Sequence, residues 1–444
     1  MLTLPSYWHA VGIWRRSALF LRMYNLFAQS DKSTPSQPDK KPKPVIGQQH
    51  CLRRVMITAG GTGGHIFPGI AVAQILMKKD VNVRWVGTDY GLEKILVPDA
   101  NIPIHYLPVR GLRGKGVARY LTTPFMVLRS VWQSLGLIKK TQPQVVLSLG
   151  GYASAPLALA ARLAGVPLIV HEQNAAPGLT NRVLAPMASL ILGGLPSTLS
   201  QYSQYELMGN PIRSSFTAVY HARKAQFEKK QLESEQLESD RQEADQALST
   251  DITILVVGGS QGAEKLNIAV PKVLKDIMIQ NPELSIRVVH QTGPDHLAVT
   301  QDRYAQSGIR VDVVTFIDDM AGAYQWAQVV IGRAGALTVS EVAAAGVACI
   351  FVPLAIAVDD HQTKNAKTLV DEGAALMVPE PGLFTSTFAD TLEKLLLSQE
   401  SRSRIAQKAL SLATIDAAER ICERIERLAC EDVSTQDDVT TKSK

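Results

Sequence analysis

The chain has 444 residues, too many for one ordinary core, so two domains are expected. Apolar residues make up 46% and charged residues 20%, and the net charge is only +5, a mix that excludes a disordered, collagen-like or strongly basic chain and gives no expectation of a nucleic-acid partner. Four cysteines, Cys51, Cys349, Cys422 and Cys430, show no CxxC spacing, which argues against a disulfide framework or a zinc site and suits a reducing cytoplasm.

The first thirty residues include WHAVGIWRRSALFLRMYNLF, with three arginines and no acid. Its charges sit in the middle of the apolar run and no small-residue cleavage site follows, so it does not read as a secretory signal. DKSTPSQPDKKPKP then reads as a flexible tether, making residues 1–50 an amino-terminal extension. From Arg53 strand and helix alternate. RRVMITA is a strand, PGIAVAQILMKK a helix with Pro68 in its first turn, and VNVRWVG a strand. PQVVLSLGG, a helix from about Ala155 to Ala164, and VPLIVHEQN continue the βαβ rhythm of a parallel sheet. The glycines, prolines and arginine between Val145 and Val170 break that apolar stretch, so no transmembrane helix is expected.

The rhythm restarts at Thr253 and runs through SIRVVHQTG, VDVVTFI, VVIGRAG and VACIFVP. The expected fold is therefore α/β, with a first doubly wound domain at 53–210 and a second at 251–430, followed by a polar tail at 431–444. Residues 211–250 form a linker. Within it, 221–250 is densely charged with few apolar residues, an insertion that reads as a polar helix or a disordered segment.

Ligands of open α/β sheets bind beyond the carboxyl ends of the strands. The first strand of each half ends in a glycine loop there: GGTGGHIFPG from Gly60 and GGSQGAEKLN from Gly258. Neither a G-x-G-x-x-G nor a Gly-Lys-Ser/Thr pattern is present in the first loop. A phosphate can still be held by a helix N-terminus, whose first N–H groups are unpaired. GRAGALTVSE suits this, with Gly335 allowing close approach and Ala336, Leu337 and Thr338 opening a helix. Glu341 has two readings: the acid of a Thr338-x-x-Glu341 capping box, or a carboxylate for ribose hydroxyls one turn beyond a pyrophosphate.

Taken in order, GGTGGHIFPG, RGLRGKG, GGYASAP, HEQNAAPGLTN, GNPIR, GGSQGAEKLN, FIDDM, GRAGALTVSEVAAAG and DDHQTKNA resemble the MurG family, bacterial transferases that add N-acetylglucosamine to the lipid-linked peptidoglycan precursor. The resemblance spans about 53 to 425. It implies a GT-B fold, two Rossmann-like doubly wound domains with the active cleft between them. It implies UDP-N-acetylglucosamine as donor and undecaprenyl-pyrophosphoryl-MurNAc-pentapeptide (lipid I) as acceptor, giving lipid II with inversion at the anomeric carbon. The substrate contacts it implies fall on Thr62, Gly63, Gly64, Asn174, Arg213, Ser260, Ile317, Ala336, Leu337, Thr338, Val339, Ser340, Glu341 and Gln362. Arg213 and Ser260 would lie near the nucleotide, Ile317 would meet uracil through its backbone, and Asn174 and Gln362 would hold sugar hydroxyls. It also implies the cytoplasmic face of the inner membrane as location, with cell-wall synthesis or division proteins as further partners.

The cleft needs a base for the acceptor's 4-hydroxyl. His65 ends the first glycine loop and is the candidate, with Glu172 as runner-up and His171 also in reach; the alternative for His65 is a helix-start histidine bonded to backbone. No Asp-x-Asp occurs, so no metal and no cofactor are expected, and helix N-termini would stabilise the leaving UDP. Leu121, Phe125, Leu128 and Trp132 recur at helical spacing among Arg110, Arg113, Lys115, Arg119 and Arg129. That stripe is either core or the contact with an anionic membrane surface, and the basic frame favours the membrane. The alternatives left open are another GT-B transferase, a UDP-sugar epimerase, and a non-catalytic UDP-sugar-binding scaffold at the membrane.

Overall fold

The computed structural model describes residues 51–109, 117–237, 251–259, 262–305, 307–355 and 360–441, with the helical backbone alone for 117–124, 234–237 and 432–441. The extension and tether of residues 1–50, Ser260, residues 238–250 and the side chains of Arg110, Arg113, Lys115, Arg119 and Leu121 lie outside the described residues.

In the first half, β1 (Arg54–Thr58), α1 (Gly63–Lys78), β2 (Asn82–Gly87), α2 (Glu93–Asp99), β3 (Ile104–Tyr106), α3 (Val117–Thr141) and β4 (Val145–Ser148) follow in order. Then come α4 (Ala155–Leu163), β5 (Leu168–Glu172), α5 (Leu179–Leu184), β6 (Leu190–Gly193) and β7 (Tyr205–Leu207). The linking helix α6 (Ser215–Leu237) leads to β8 (Asp251–Val257), α7 (Glu264–Gln280), β9 (Ser285–Gln291), α8 (Leu297–Ala305), β10 (Arg310–Val314), α9 (Met320–Trp326) and β11 (Val329–Gly332). The chain closes with α10 (Ala336–Ala345), β12 (Ala348–Phe351), α11 (His361–Val370), β13 (Leu376–Met377), α12 (Ser386–Leu397), α13 (Gln399–Ser411) and α14 (Ala417–Thr441).

Both sheets are parallel throughout, in the orders β3-β2-β1-β4-β5-β6-β7 and β10-β9-β8-β11-β12-β13. This is the doubly wound arrangement, and its switch points fall between β1 and β4 and between β8 and β11. Sheets covered on both faces read as unbroken apolar runs, which is why β4, β5 and β11 are buried end to end. Along β1, Val55 and Ile57 point into one core and Met56 into the other. Along β8, Ile254 and Val256 alternate in the same way with Leu255 and Val257.

The glycine loops sit at the two switch points. Gly151, at φ +82°, lets the GGYASAP loop lie directly on the first glycine loop, since a Cβ there would clash with the carbonyl oxygen of Gly60. Gly262, at φ +80°, does the same against the Thr292 carbonyl oxygen in the second half.

Three sequence expectations change. The helix expected to open at Pro68 begins at Gly63 instead, placing His65 inside it. Pro68 has no N–H to offer Gly64's carbonyl, so that bond is missing from the second turn. Residues 417–430, assigned to the second domain, and residues 431–441 of the tail after it are one helix, α14, and it packs on the first half. Ala418, Ile421, Cys422, Ile425 and Ala429 share a core with Val55, Ile57 and Val72. Lys79 pairs with Glu426 at 2.8 Å and Arg424 hydrogen-bonds Glu206 through Nε at 2.8 Å. Finally, Cys51 and Cys430 are not isolated thiols: they form a disulfide with Cα atoms 5.7 Å apart, while Cys349 and Cys422 are buried and free. Local spacing cannot reveal a pair 379 residues apart in sequence.

Gly151→Ala combines a left-handed backbone with a clash against backbone, and should destabilise the fold by about 3 kcal/mol. Thermal or urea unfolding of the variant beside the parent measures it; an unchanged midpoint would show that the two loops can separate freely.

Candidate active site

The site is built where the two switch points face each other. In the first half, β1 ends in the glycine loop and Thr62 takes extended backbone as the cap of α1. Gly63 and Gly64 open that helix, so their N–H groups have no intrahelical acceptor. The loop is braced from beneath by Glu93, fully buried, which accepts from Gly61 N at 3.1 Å, Thr88 N at 3.1 Å and Thr88 Oγ1 at 2.6 Å.

In the second half, Gly335 is the cap of α10, with extended backbone and its carbonyl accepting from Val339 N at 3.0 Å. Ala336, Leu337 and Thr338 are therefore the first three residues of the helix, with N–H groups free for an anion as the sequence suggested. The same observation excludes the capping box. Thr338 lies inside the helix rather than at its cap, so Glu341 is a second-turn residue.

Glu341 instead meets Arg213, with Oε1 3.1 Å from Nη2. Its carboxyl is buried, and burial lifts it from 4.5 to about 7 against the downward pull of the guanidinium. The Arg213 guanidinium lies over the Phe67 ring of α1, 4.9 Å from the centroid. One cation thus touches both halves and brings the N-termini of α1 and α10 to the same seam. Arg333, in the loop before α10, and Lys265, in the first turn of α7, both hold buried Glu380 at 2.5 Å. This ties the second glycine loop to the loop that opens α10.

The HEQN segment carries the rest. Glu172, a candidate base, is 1% exposed and accepts four hydrogen bonds: from Asn174 N (2.9 Å) and Nδ2 (3.1 Å), from Gly178 N (3.0 Å) and from Asn181 Nδ2 (2.9 Å). Its lone pairs are committed to winding the loop after β5, which removes it as a proton acceptor for a substrate. His171 is fully buried, and burial pushes it down to about 4, so it is neutral at pH 7. His65 is half-buried and its Nδ1 lies 2.8 Å from Gln173 Oε1. A backbone-bonded role for the His65 ring is not what the geometry shows.

Asn174 is half-buried at the seam; its Nδ2 donates to Glu172, and its Oδ1 accepts from Asn365 Nδ2 at 3.0 Å. Gln362 accepts from Leu354 N at 2.9 Å through Oε1. Ile317 is buried at the turn before α9, and among the described residues no partner engages its backbone. Val339 is core, while Leu337, Thr338 and Ser340 are half-buried.

Residues not singled out from sequence complete the seam. Asn365, fully buried, donates to Asn174 Oδ1 and to Ala334 O (3.1 Å) and accepts from Ala175 N (2.9 Å). Asn210 donates to Gln173 O and to Ser340 Oγ, each at 3.1 Å. Both lie inside motifs that were recognised, DDHQTKNA and GNPIR, but nothing local distinguishes their amides from their neighbours'. Among the described residues no group of three or more His, Cys, Asp or Glu side chains is placed to hold a metal.

Two family models match the halves separately: the glycosyltransferase family 28 N-terminal domain over residues 55–192 and the family 28 C-terminal domain over 253–421. A curated relative from Shewanella halifaxensis, named UDP-N-acetylglucosamine–N-acetylmuramyl-(pentapeptide) pyrophosphoryl-undecaprenol N-acetylglucosamine transferase, is 42% identical over 379 residues, 85% of this chain and 97% of its own length. One of the same name from Aeromonas hydrophila is 42% identical over 377 residues, with the same two coverages. The crystal structure of Acinetobacter baumannii MurG superposes with a TM-score of 0.67 at 36% identity, covering 84% of this chain and 99% of that one. The chain belongs to the MurG family. Its fold is the family's pair of parallel-sheet domains, and the chain is a glycosyltransferase. The first family model runs from β1 into β6, leaving β7 of that sheet outside, and the second runs from β8 into α14.

The Glu341 carboxyl binds its proton more tightly in the fold than in the unfolded chain. Its contribution to stability is therefore full below pH 4.5 and lost as the pH rises through about 7. Glu341→Gln cannot titrate, so the stability of the parent relative to this variant should decline between those values. Melting temperatures of both across that range test it, and parallel curves would contradict the burial argument.

Proposed function

We propose that the chain transfers N-acetylglucosamine from UDP-N-acetylglucosamine to the 4-hydroxyl of MurNAc in lipid I, releasing UDP and forming lipid II. The observation that carries this is the convergence of two switch-point helix N-termini on one seam, joined by Arg213. A diphosphate fits such a place because unpaired N–H groups and the helix dipole both favour negative charge. The diphosphate of UDP lies on Ala336, Leu337 and Thr338. The ribose lies at Glu341 and Arg213, and uracil at the backbone of Ile317. Asn174 retains one amide hydrogen and one lone pair beyond its protein bonds, enough for a sugar hydroxyl, and Gln362 retains its amide NH₂.

Thr62, Gly63 and Gly64 face the sugar in transit and the acceptor's pyrophosphate. The acceptor 4-oxygen attacks C1 of the sugar from the face opposite the phosphate, and its proton passes to His65 Nε2. The C1–O bond breaks with its electron pair going to UDP, and the configuration inverts. The charge developing on UDP is met by N–H groups already in place, the arrangement that stabilises a leaving group without reorganisation.

A lipid-linked acceptor has to be met at a membrane. α3 offers a face for that: beside Val131 and Ile138, which it packs into the core with its serines, it carries other large apolar residues outward. Phe125, Leu128 and Trp132 are 76%, 62% and 77% exposed. Ser130 and Ser134 are buried and satisfied by carbonyls one turn back, Met126 O at 2.8 Å and Ser130 O at 2.7 Å. The backbone of Leu121 falls on the same helix, one turn before Phe125, and Arg129 is exposed beside them. No described helix is long and apolar enough to cross a membrane. On this reading the outward face of α3 lets the protein act as a peripheral enzyme on the anionic cytoplasmic face of the inner membrane, alongside other cell-wall synthesis or division proteins.

The deciding assay follows UDP release with lipid I against other acceptors, with and without excess EDTA. Release confined to lipid I and insensitive to chelator is expected. Donor binding without release would leave a scaffold, and conversion of the UDP-sugar without acceptor an epimerase.

His65→Ala should lower turnover by about two to four powers of ten, the range of general acid–base catalysis, while leaving UDP-sugar affinity nearly unchanged. Near-normal turnover at saturating lipid I would remove His65 from the mechanism.

Phe125→Ser with Trp132→Ser should weaken binding to anionic vesicles in a flotation assay and spare turnover on a short-chain soluble acceptor. Equal vesicle binding by variant and parent would place the membrane contact elsewhere.

A further inference from the structure

His65 does not stand alone. Its Nδ1 lies 2.8 Å from Gln173 Oε1, Gln173 Nε2 lies 3.0 Å from His171 Nδ1, and His171 Nε2 lies 3.3 Å from the carbonyl oxygen of Gly209. Gln173 and His171 are buried, at 1% and 0% exposure, so no water competes for these bonds.

The donors and acceptors along this chain can be assigned from its fixed end. A backbone carbonyl only accepts, so His171 Nε2 carries a hydrogen. In a neutral imidazole the other nitrogen is then an acceptor, and only an amide NH₂ can face it. That fixes the orientation of the Gln173 amide and turns its oxygen, which only accepts, toward His65. Nδ1 of His65 must therefore carry the hydrogen, and Nε2 is left with its lone pair and no protein partner among the described residues. We infer that Gln173 is a positioning residue for the transfer, fixing His65 in the one tautomer whose Nε2 can take a proton. The inference rests on the reading of His65 as base and adds how the fold prepares that base.

The charged and titratable groups around the chain are accounted for. Glu172 is occupied by its four donors, Arg213 lies on Phe67 and pairs with Glu341, and His171 is kept neutral by burial. The frame is also tied to the donor side, since Asn210 binds both the Gln173 carbonyl and Ser340 of α10.

The test combines kinetics with ¹⁵N NMR of the full chain, in which imidazole nitrogen shifts report the tautomer. In the parent, His65 should show a protonated Nδ1 and an unprotonated Nε2. Gln173→Leu should lose that preference and lower kcat by about ten- to a hundredfold, the scale on which partners that orient a functional histidine act, with KM for UDP-N-acetylglucosamine nearly unchanged; the melting temperature should fall as well, since buried His171 Nδ1 loses its donor. Gln173→Glu keeps an acceptor for Nδ1–H of His65, and its second oxygen, which faces His171 Nδ1, is matched when that nitrogen takes a proton, so it should recover most of the lost turnover. Its carboxylate favours imidazolium, so the acidic limb of its pH–rate profile should move upward. Should Gln173→Leu not fold, the Glu variant's pH profile and the parent's NMR still decide.

A parent His65 protonated at Nε2 overturns the inference, as does a Leu variant with parental kcat. Failure of the base itself reads out separately. His65→Ala would then retain turnover whatever the tautomer proves to be.

Discussion

Four hydrogen bonds to one carboxylate set the geometry on which the site depends. Glu172 gathers two backbone N–H groups and two side-chain amides from residues 174 to 181, and so winds the segment after β5 into one shape. That segment lies where the halves meet. Asn174 and Ala175 bond Asn365 of the second half, while within the first half Gln173 meets His65 and its carbonyl is held by Asn210, which also bonds Ser340 of α10. A buried carboxylate with every lone pair occupied is a rigid core for a loop, because leaving any one donor unmatched out of water is costly. Asparagine amides then carry contacts between the halves, Asn174 with Asn365 and Asn210 with Ser340.

Much of this was legible in the sequence, and for identifiable reasons. Parallel strands buried on both faces leave apolar runs, glycine loops mark the switch points, and Gly335 announced the start of α10. These are local signals with local causes. The errors are non-local. Glu341 looks like a cap because Thr338-x-x-Glu341 has the spacing, but the helix had already begun at Gly335 and the partner is Arg213, far away in sequence. Glu172 looks like a base because it is an acid at a strand end, and only its four donors show otherwise. α14 reads as part of the second domain by position, yet its face at 418, 421, 425 and 429 matches the first core. The Cys51–Cys430 pair follows from that packing and has no local signature.

On the proposed reading the two substrates belong to two solvents, the donor to the seam, among buried amides and helix ends, and the lipid-linked acceptor to the membrane. Phe125, Leu128 and Trp132 of α3 lie outside, while its inward face holds Ser130 and Ser134 beside Val131 and Ile138. The two serine hydroxyls are satisfied on carbonyls of their own helix, so neither is left unpaired in the core.

The chain crosses between the halves twice, once near Gly209 to Ser214 and again at Leu412 to Asp416, before α14 returns to the first half. The two crossings touch: a Cβ on Gly209 would lie 2.6 Å from Thr414 Cγ2. Two passages of chain lying side by side make a hinge, so any turning of one half against the other would pivot here. The Gly209 carbonyl that ends the His171–Gln173–His65 chain sits at that crossing, where such a turn would displace it least.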